Sequence, residues 1–172
     1  MRSRYRRTRS GLSLTELIVT AAILAIMAGL VIPLAKVTVQ RRKEMELRFA
    51  LRVIRSAIDA FHRAVRPPNR PNGPFPQVRP AYVLDEDTGY PKRLEYLTIM
   101  IEVTPPNQVK SRKYRFLRRI PKDPMTGSTD WGLLCLQDEP PPKDWVWCGQ
   151  NVYDVYSKSR AQALDGSYYY EW

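Results

Sequence analysis

One histidine and two cysteines in 172 residues leave little material for metal-centred or nucleophilic chemistry. The histidine, His62, stands beside Arg63 on a stretch of helical periodicity with no nucleophile motif near it, and it reads as a solvated helix residue. No phosphate-binding glycine loop, Gly-x-Ser-x-Gly elbow or histidine cluster occurs, so no enzymatic activity is expected. Charge is also missing where it is easiest to notice. From Leu17 to Ala35 only Thr20 is polar. As a helix rising 1.5 Å per residue this run would cover roughly 29 Å, close to the hydrocarbon thickness of a bilayer, and the expectation is a transmembrane helix. A secretory signal peptide would have a shorter apolar region and a small-x-small cleavage site on its far side.

Five arginines precede Gly11, and basic residues on the short flank of such a run normally stay in the cytoplasm. The bulk of the chain is then expected outside, beyond a single membrane-spanning pass. Glu16 stands at the edge of the apolar run, where an ionised group needs a partner. It could snorkel to headgroups, or sit at a helix N-terminus where the dipole favours an acid.

Gly11 before an apolar Leu12, Glu16 five positions after that glycine, and Pro33 within the apolar helix together resemble the N-terminus of type IV pilins and pseudopilins. The resemblance implies that a prepilin peptidase cuts between Gly11 and Leu12 and methylates the new amine of Leu12, where most members carry Phe. It implies that Glu16 faces the amine of Leu12 on a neighbouring subunit. It also implies that the helix around Gly29 and Pro33 loosens on packing into a filament; Pro33 in any case cannot donate to the carbonyl of Gly29.

Without the five leader arginines, 23 basic residues remain against 17 acidic ones, a formal difference of +6. That balance reads as a moderately basic, solvated surface, and no nucleic-acid partner is expected. Leu47, Leu51, Ile54, Ile58, Phe61 and Val65 recur at alternating steps of four and three, an amphipathic helical stripe with charged flanks. Six prolines between Pro67 and Pro80 exclude helix and interior strand there, which makes that stretch a connecting loop. Tyr90 to Val103 reads as a short helix or a helix and strand. Later come strand-like runs bounded by turns: Trp131–Leu136, Trp145–Trp147, Asn151–Tyr156 and Ser167–Trp172. The expected fold class is α+β: a long N-terminal spine helix, transmembrane in its first half, packed against a small antiparallel sheet of three or four strands. Its segments are a leader over 1–11, a transmembrane or assembly helix over 12–35, an amphipathic half over 36–66 and a headpiece over 67–172.

Phe116–Pro124 with Gly127, and Val152–Ser157 followed by Asp165-Gly166, look like the major pseudopilin of type II secretion, although Met125-Thr126-Gly127 replaces the usual Trp-Gly. That resemblance implies a subunit held in the inner membrane by a single pass, with its C-terminal domain in the periplasm, that polymerises with other pseudopilins into a periplasmic pseudopilus driving protein export. Its partners would be an inner-membrane assembly platform, a cytoplasmic ATPase and secreted protein cargo. Many such subunits hold calcium in the late loop; the weak candidates here are Asp154 and Asp165, the only aspartates after Asp144, with Lys158 and Arg160 intruding between them. Asp85-Glu86-Asp87 reads as a solvated acidic turn, and Asp123-Pro124 as a turn between helix and sheet. Cys135 and Cys148 fit neither a redox Cys-x-x-Cys nor a four-ligand zinc site. They read as a disulfide closing a loop of about a dozen residues, worth roughly 3 kcal/mol, or as two buried thiols on adjacent strands. The competing functional readings are a surface type IV pilus subunit serving adhesion, motility or DNA uptake, and a non-polymerising single-pass anchor for a periplasmic domain.

Overall fold

A computed structural model describes residue 11 and residues 13–66, 76–106, 109–139 and 146–172, with backbone only at 30–34. The chain divides into two compact units, Met1–Gln40 and Arg41–Trp172. One helix, α1 (Leu14–Val65, 52 residues), contributes to both. It starts where Ser13 caps it: the Ser13 hydroxyl accepts the Glu16 backbone N–H at 3.2 Å, satisfying one of the donors that a helix N-terminus leaves open. The helix runs unbroken through Gly29 and Pro33.

The expected membrane span is corrected here. Among the described residues no helix is long and apolar enough to cross a membrane. The transmembrane half of the spine, the single-pass inner-membrane anchoring and the periplasmic placement derived from them go with that span. The fold is α+β with small antiparallel sheets.

In the second unit the stripe forecast from periodicity is the centre of the core. Leu47, Leu51, Ile54, Ile58, Phe61 and Val65 are all buried, joined by Ala50 and Ala57. Burying side chains of this size contributes about 1.5–3 kcal/mol each. Against them pack Val78, Leu97, Ile101, Val103, Trp131, Val152, Val155 and Tyr169. There are two sheets where one was expected. Strands β1 (Gln77–Arg79), β2 (Ile101–Thr104) and β3 (Arg112–Tyr114) form an antiparallel sheet in the order β1-β2-β3, with Val78 opposite Val103 and Ile101 opposite Tyr114. Strands β4 (Gly132–Leu134) and β5 (Asp154–Tyr156) form an antiparallel pair.

β1 lies at the end of the proline-rich stretch and is an edge strand, the position that tolerates neighbouring prolines. The segment 90–103 resolves into a 3-10 turn, Leu94–Thr98, that buries Leu94 and Leu97, followed by β2. Ser167–Trp172 is not a strand. Its backbone turns into a 3-10 segment at Tyr169–Glu171, because the Glu171 carboxylate accepts the Tyr168 N–H at 3.0 Å and the Trp172 indole donates to Ser167 Oγ at 2.7 Å. Of the expected strand Trp145–Trp147, Trp145 lies outside the described residues and Val146 and Trp147 are outside any strand, Trp147 giving its indole N–H to the Asn151 carbonyl at 2.8 Å.

Candidate functional site

The first unit is a helix with its apolar side chains uncovered. Leu17, Ile18, Val19, Ile23, Leu24, Ile26 and Met27 are each more than half exposed. At 100° per residue these positions point in every direction around the axis, so no single face is apolar. A helix apolar on all sides requires cover on all sides. At its start Glu16 is the one acid of the first turn and is exposed. Gly11 precedes the helix and is also exposed; Leu12 and the arginine-rich residues before Gly11 lie outside the described residues, as does the side chain of Pro33. Gly29 is helical, and a Cβ at that position would meet no neighbour.

In the second unit, the two motifs that carried the likeness to the major pseudopilin meet. Asp123 and Ser157 are both almost completely buried, and the Ser157 hydroxyl donates to Asp123 Oδ2 at 2.7 Å. The other carboxylate oxygen accepts the Met125 N–H at 2.8 Å. The backbone of Asp123 is held as well, donating to the Ser128 carbonyl at 2.8 Å and accepting the Gly127 N–H at 2.7 Å. Gly127 closes this turn at φ 73°, a conformation that favours glycine. Just beyond the turn the Trp131 indole donates to the Pro121 carbonyl at 3.0 Å. Asp123-Pro124 does form a turn, and its carboxylate is also the joint between that turn and the end of β5.

The calcium candidates are each engaged by an arginine of α1. Arg55 donates to Asp154 Oδ1 at 2.6 Å and also to the carbonyls of Val155 and Trp172, at 3.1 and 3.0 Å. Arg48 reaches Asp165 Oδ2 at 3.4 Å and lies 4.2 Å over the Trp172 ring. Asp165 further accepts the Ser167 hydroxyl and N–H at 2.6 and 3.0 Å, which holds its carboxyl below the usual range. A cation at this pair would compete with Arg48 and Arg55. On the same helix Glu44 Oε1 accepts the Leu164 N–H and the Tyr169 hydroxyl, both at 2.9 Å. The spacing of Glu44, Arg48 and Arg55, four and seven, puts them on one side of α1. Periodicity alone marks them only as charged flanks of the apolar stripe.

Cys135 and Cys148 are joined as a disulfide, with Cα atoms 6.2 Å apart. Asp138 Oδ2 accepts the Cys135 N–H at 2.8 Å. Among the described residues, Cys135, Asp138 and Cys148 are the one trio of metal-ligand types that lies close together, and their sulfurs are already bonded to each other. Beside the bridge, buried Asn151 accepts the Leu136 N–H at 3.0 Å and donates to Asp85 Oδ2 at 3.2 Å. The same Asp85 oxygen accepts the Thr88 hydroxyl at 2.5 Å. Asp85 is therefore half-buried and structural, while Glu86 and Asp87 are exposed.

His62 departs from the solvated reading. It is half-buried and stacks on Tyr90, ring centroids 4.4 Å apart and planes 16° from parallel. Burial, and then the nearby Arg66 charge, hold its imidazole below the ordinary value. Tyr90 is pushed up by burial and by Tyr153 and Asp59.

No family model, curated protein or solved structure matches this chain. Functional assignment therefore rests on its own residues. Their arrangement is one of joints, caps and exposed apolar surface, suited to holding parts together.

Proposed function

We propose that this chain is a pseudopilin-like subunit that polymerises into a pseudopilus and drives protein export through a type II secretion system. The observation that carries the reading is the uncovered apolar helix at the start of α1. Copies of that helix packed around one another would supply cover on every side, and a head-to-tail contact that does not close into a ring gives an open helical filament. Within such a packing Glu16 would face the cleaved and methylated amine of Leu12 on the next subunit. A buried acid needs a paired charge of this kind, and the pairing fixes register. Other support is the junction of Asp123 with Ser157, since these residues belong to the two motifs similar to the major pseudopilin. In this reading the prepilin peptidase, an assembly platform with its ATPase, and secreted protein cargo are the partners, and the chain performs no chemical step.

The test compares proteins in the medium of a strain carrying this chain with those of a strain lacking it, with a complemented control. Loss of a defined set of folded enzymes from the medium is the expected result. Intact secretion with loss of surface filaments or DNA uptake would make the chain a pilus subunit instead. Mass spectrometry of the mature protein should find Leu12 as its first residue, carrying one added methyl group.

A further inference from the structure

Positive charge is unevenly distributed along the chain. Between Lys110 and Lys122 stand Lys110, Arg112, Lys113, Arg115, Arg118, Arg119 and Lys122, with no acidic residue among them. This strip alone carries more positive charge than the +6 left over the whole chain after the leader arginines are set aside. All seven residues are exposed. One ion pair involves them among the described residues, Lys113 with Glu102 at 3.1 Å. The aromatic residues in the strip, Tyr114 and Phe116, are half-buried and occupied: they stack on each other, and Phe116 meets Phe61 of the core edge-on. They are not offered as platforms for nucleic-acid bases.

Beside the strip opens a cleft of about 680 Å³ whose lining includes Val53, Leu117, Ile120, Arg118, Arg119 and Lys122. Its apolar groups come from the helix and the loop, and its cations from the strip. We infer that this cleft and strip form a docking surface for an acidic polypeptide segment bearing a bulky apolar residue. The apolar side chain would enter the cleft while flanking carboxylates meet Arg118, Arg119 and Lys122, where guanidinium groups can grip carboxylates with two hydrogen bonds. A phosphate backbone would use the cations and leave the apolar cleft empty, which is why a polypeptide fits better. This surface belongs to the Arg41–Trp172 unit and does not depend on filament formation through the exposed start of α1.

The probe is a fluorescein-labelled twelve-residue peptide of Glu and Asp with one central Leu, titrated with the full chain at low salt and read by anisotropy. Binding should weaken about tenfold in the Arg118→Glu/Arg119→Glu variant, whose fold is verified by circular dichroism. It should also weaken several-fold against the unchanged protein when the peptide's Leu is replaced by Ser, a comparison that needs no variant. Absence of binding, indifference to both changes, or tighter binding of a single-stranded oligonucleotide or of phosphatidylglycerol vesicles would overturn the inference.

Discussion

At the scale of single residues, stability in the second unit depends on a few buried polar atoms. Asp123 is the clearest, with a hydroxyl and three backbone groups arranged on it. Asp123→Ala should cost about 1–3 kcal/mol, because the Ser157 hydroxyl and the Met125 N–H lose their acceptor in a site closed to water. Urea unfolding would show this as a lower midpoint with an unchanged slope; a midpoint equal to that of the parent would mean that the joint is dispensable. His62 adds a pH dependence of definite sign. Its folded pKa lies below the ordinary 6.5, so in the window between the two the unfolded chain binds a proton that the folded chain refuses. This contribution to stability is full above 6.5 and is lost as pH falls through the window. Asp59, which raises the pKa, and the Thr88 backbone oppose burial and Arg66 without reversing them. His62→Phe keeps a ring against Tyr90 and removes the titration. Its urea midpoint should therefore fall less between pH 7.5 and 5.5 than that of the parent.

At the scale of elements, the helix and the sheets differed in legibility for physical reasons. The stripe from Leu47 to Val65 was visible because a helix repeats its buried face every three or four residues, and every member is buried. Three-residue strands give no such repeat. β3 reads Arg112-Lys113-Tyr114 and shows no alternation, and β1 follows a run of prolines that suppresses any strand signal. The Asp123–Ser157 joint and the Arg55–Asp154 pair connect positions far apart in the chain, and only the tertiary fold shows such partners. Ser13 could have been found, since Ser-Leu-Thr-Glu is the spacing of a capping box. His62 was misjudged because its neighbour Tyr90 comes from a loop. The exposed start of α1 carries a prediction of its own. Ile23 and Ile26 make no part of the core and are half or more exposed, so Ile23→Asp/Ile26→Asp should leave thermal unfolding of the second unit unchanged within about 0.5 kcal/mol. The same pair should abolish self-association in analytical ultracentrifugation if this surface is where copies pack.

At the scale of the whole molecule, the division at Gln40 and Arg41 separates two ways of satisfying apolar surface. The second unit satisfies it internally: the stripe of α1 is covered by β1, β2, β4 and β5 and by the 3-10 turns, and the disulfide Cys135–Cys148 ties down its later loops. Among the described residues of the first unit, Leu17, Ile18, Val19, Ile23, Leu24, Ile26 and Met27 stay exposed, which leaves that apolar surface open to contact with other molecules. A chain beginning at Arg41 should consequently fold and remain monomeric. Its helix would lose the Ser13 cap and the turns before Gln40, but it would keep Leu47 to Val65 and the Glu44, Arg48 and Arg55 contacts that hold the segment Asp154 to Trp172. The expected result is a cooperative thermal transition within a few degrees of that of the full chain, together with a sedimentation profile independent of concentration. The full chain at the same concentrations should sediment as larger, concentration-dependent species. If the shortened chain also associated, the contacts between copies would lie on the second unit. The basic strip from Lys110 to Lys122 and the exposed Glu86 and Asp87 would then be the charged surfaces to exchange first, since reversal on one copy should be rescued by the opposite reversal on the other.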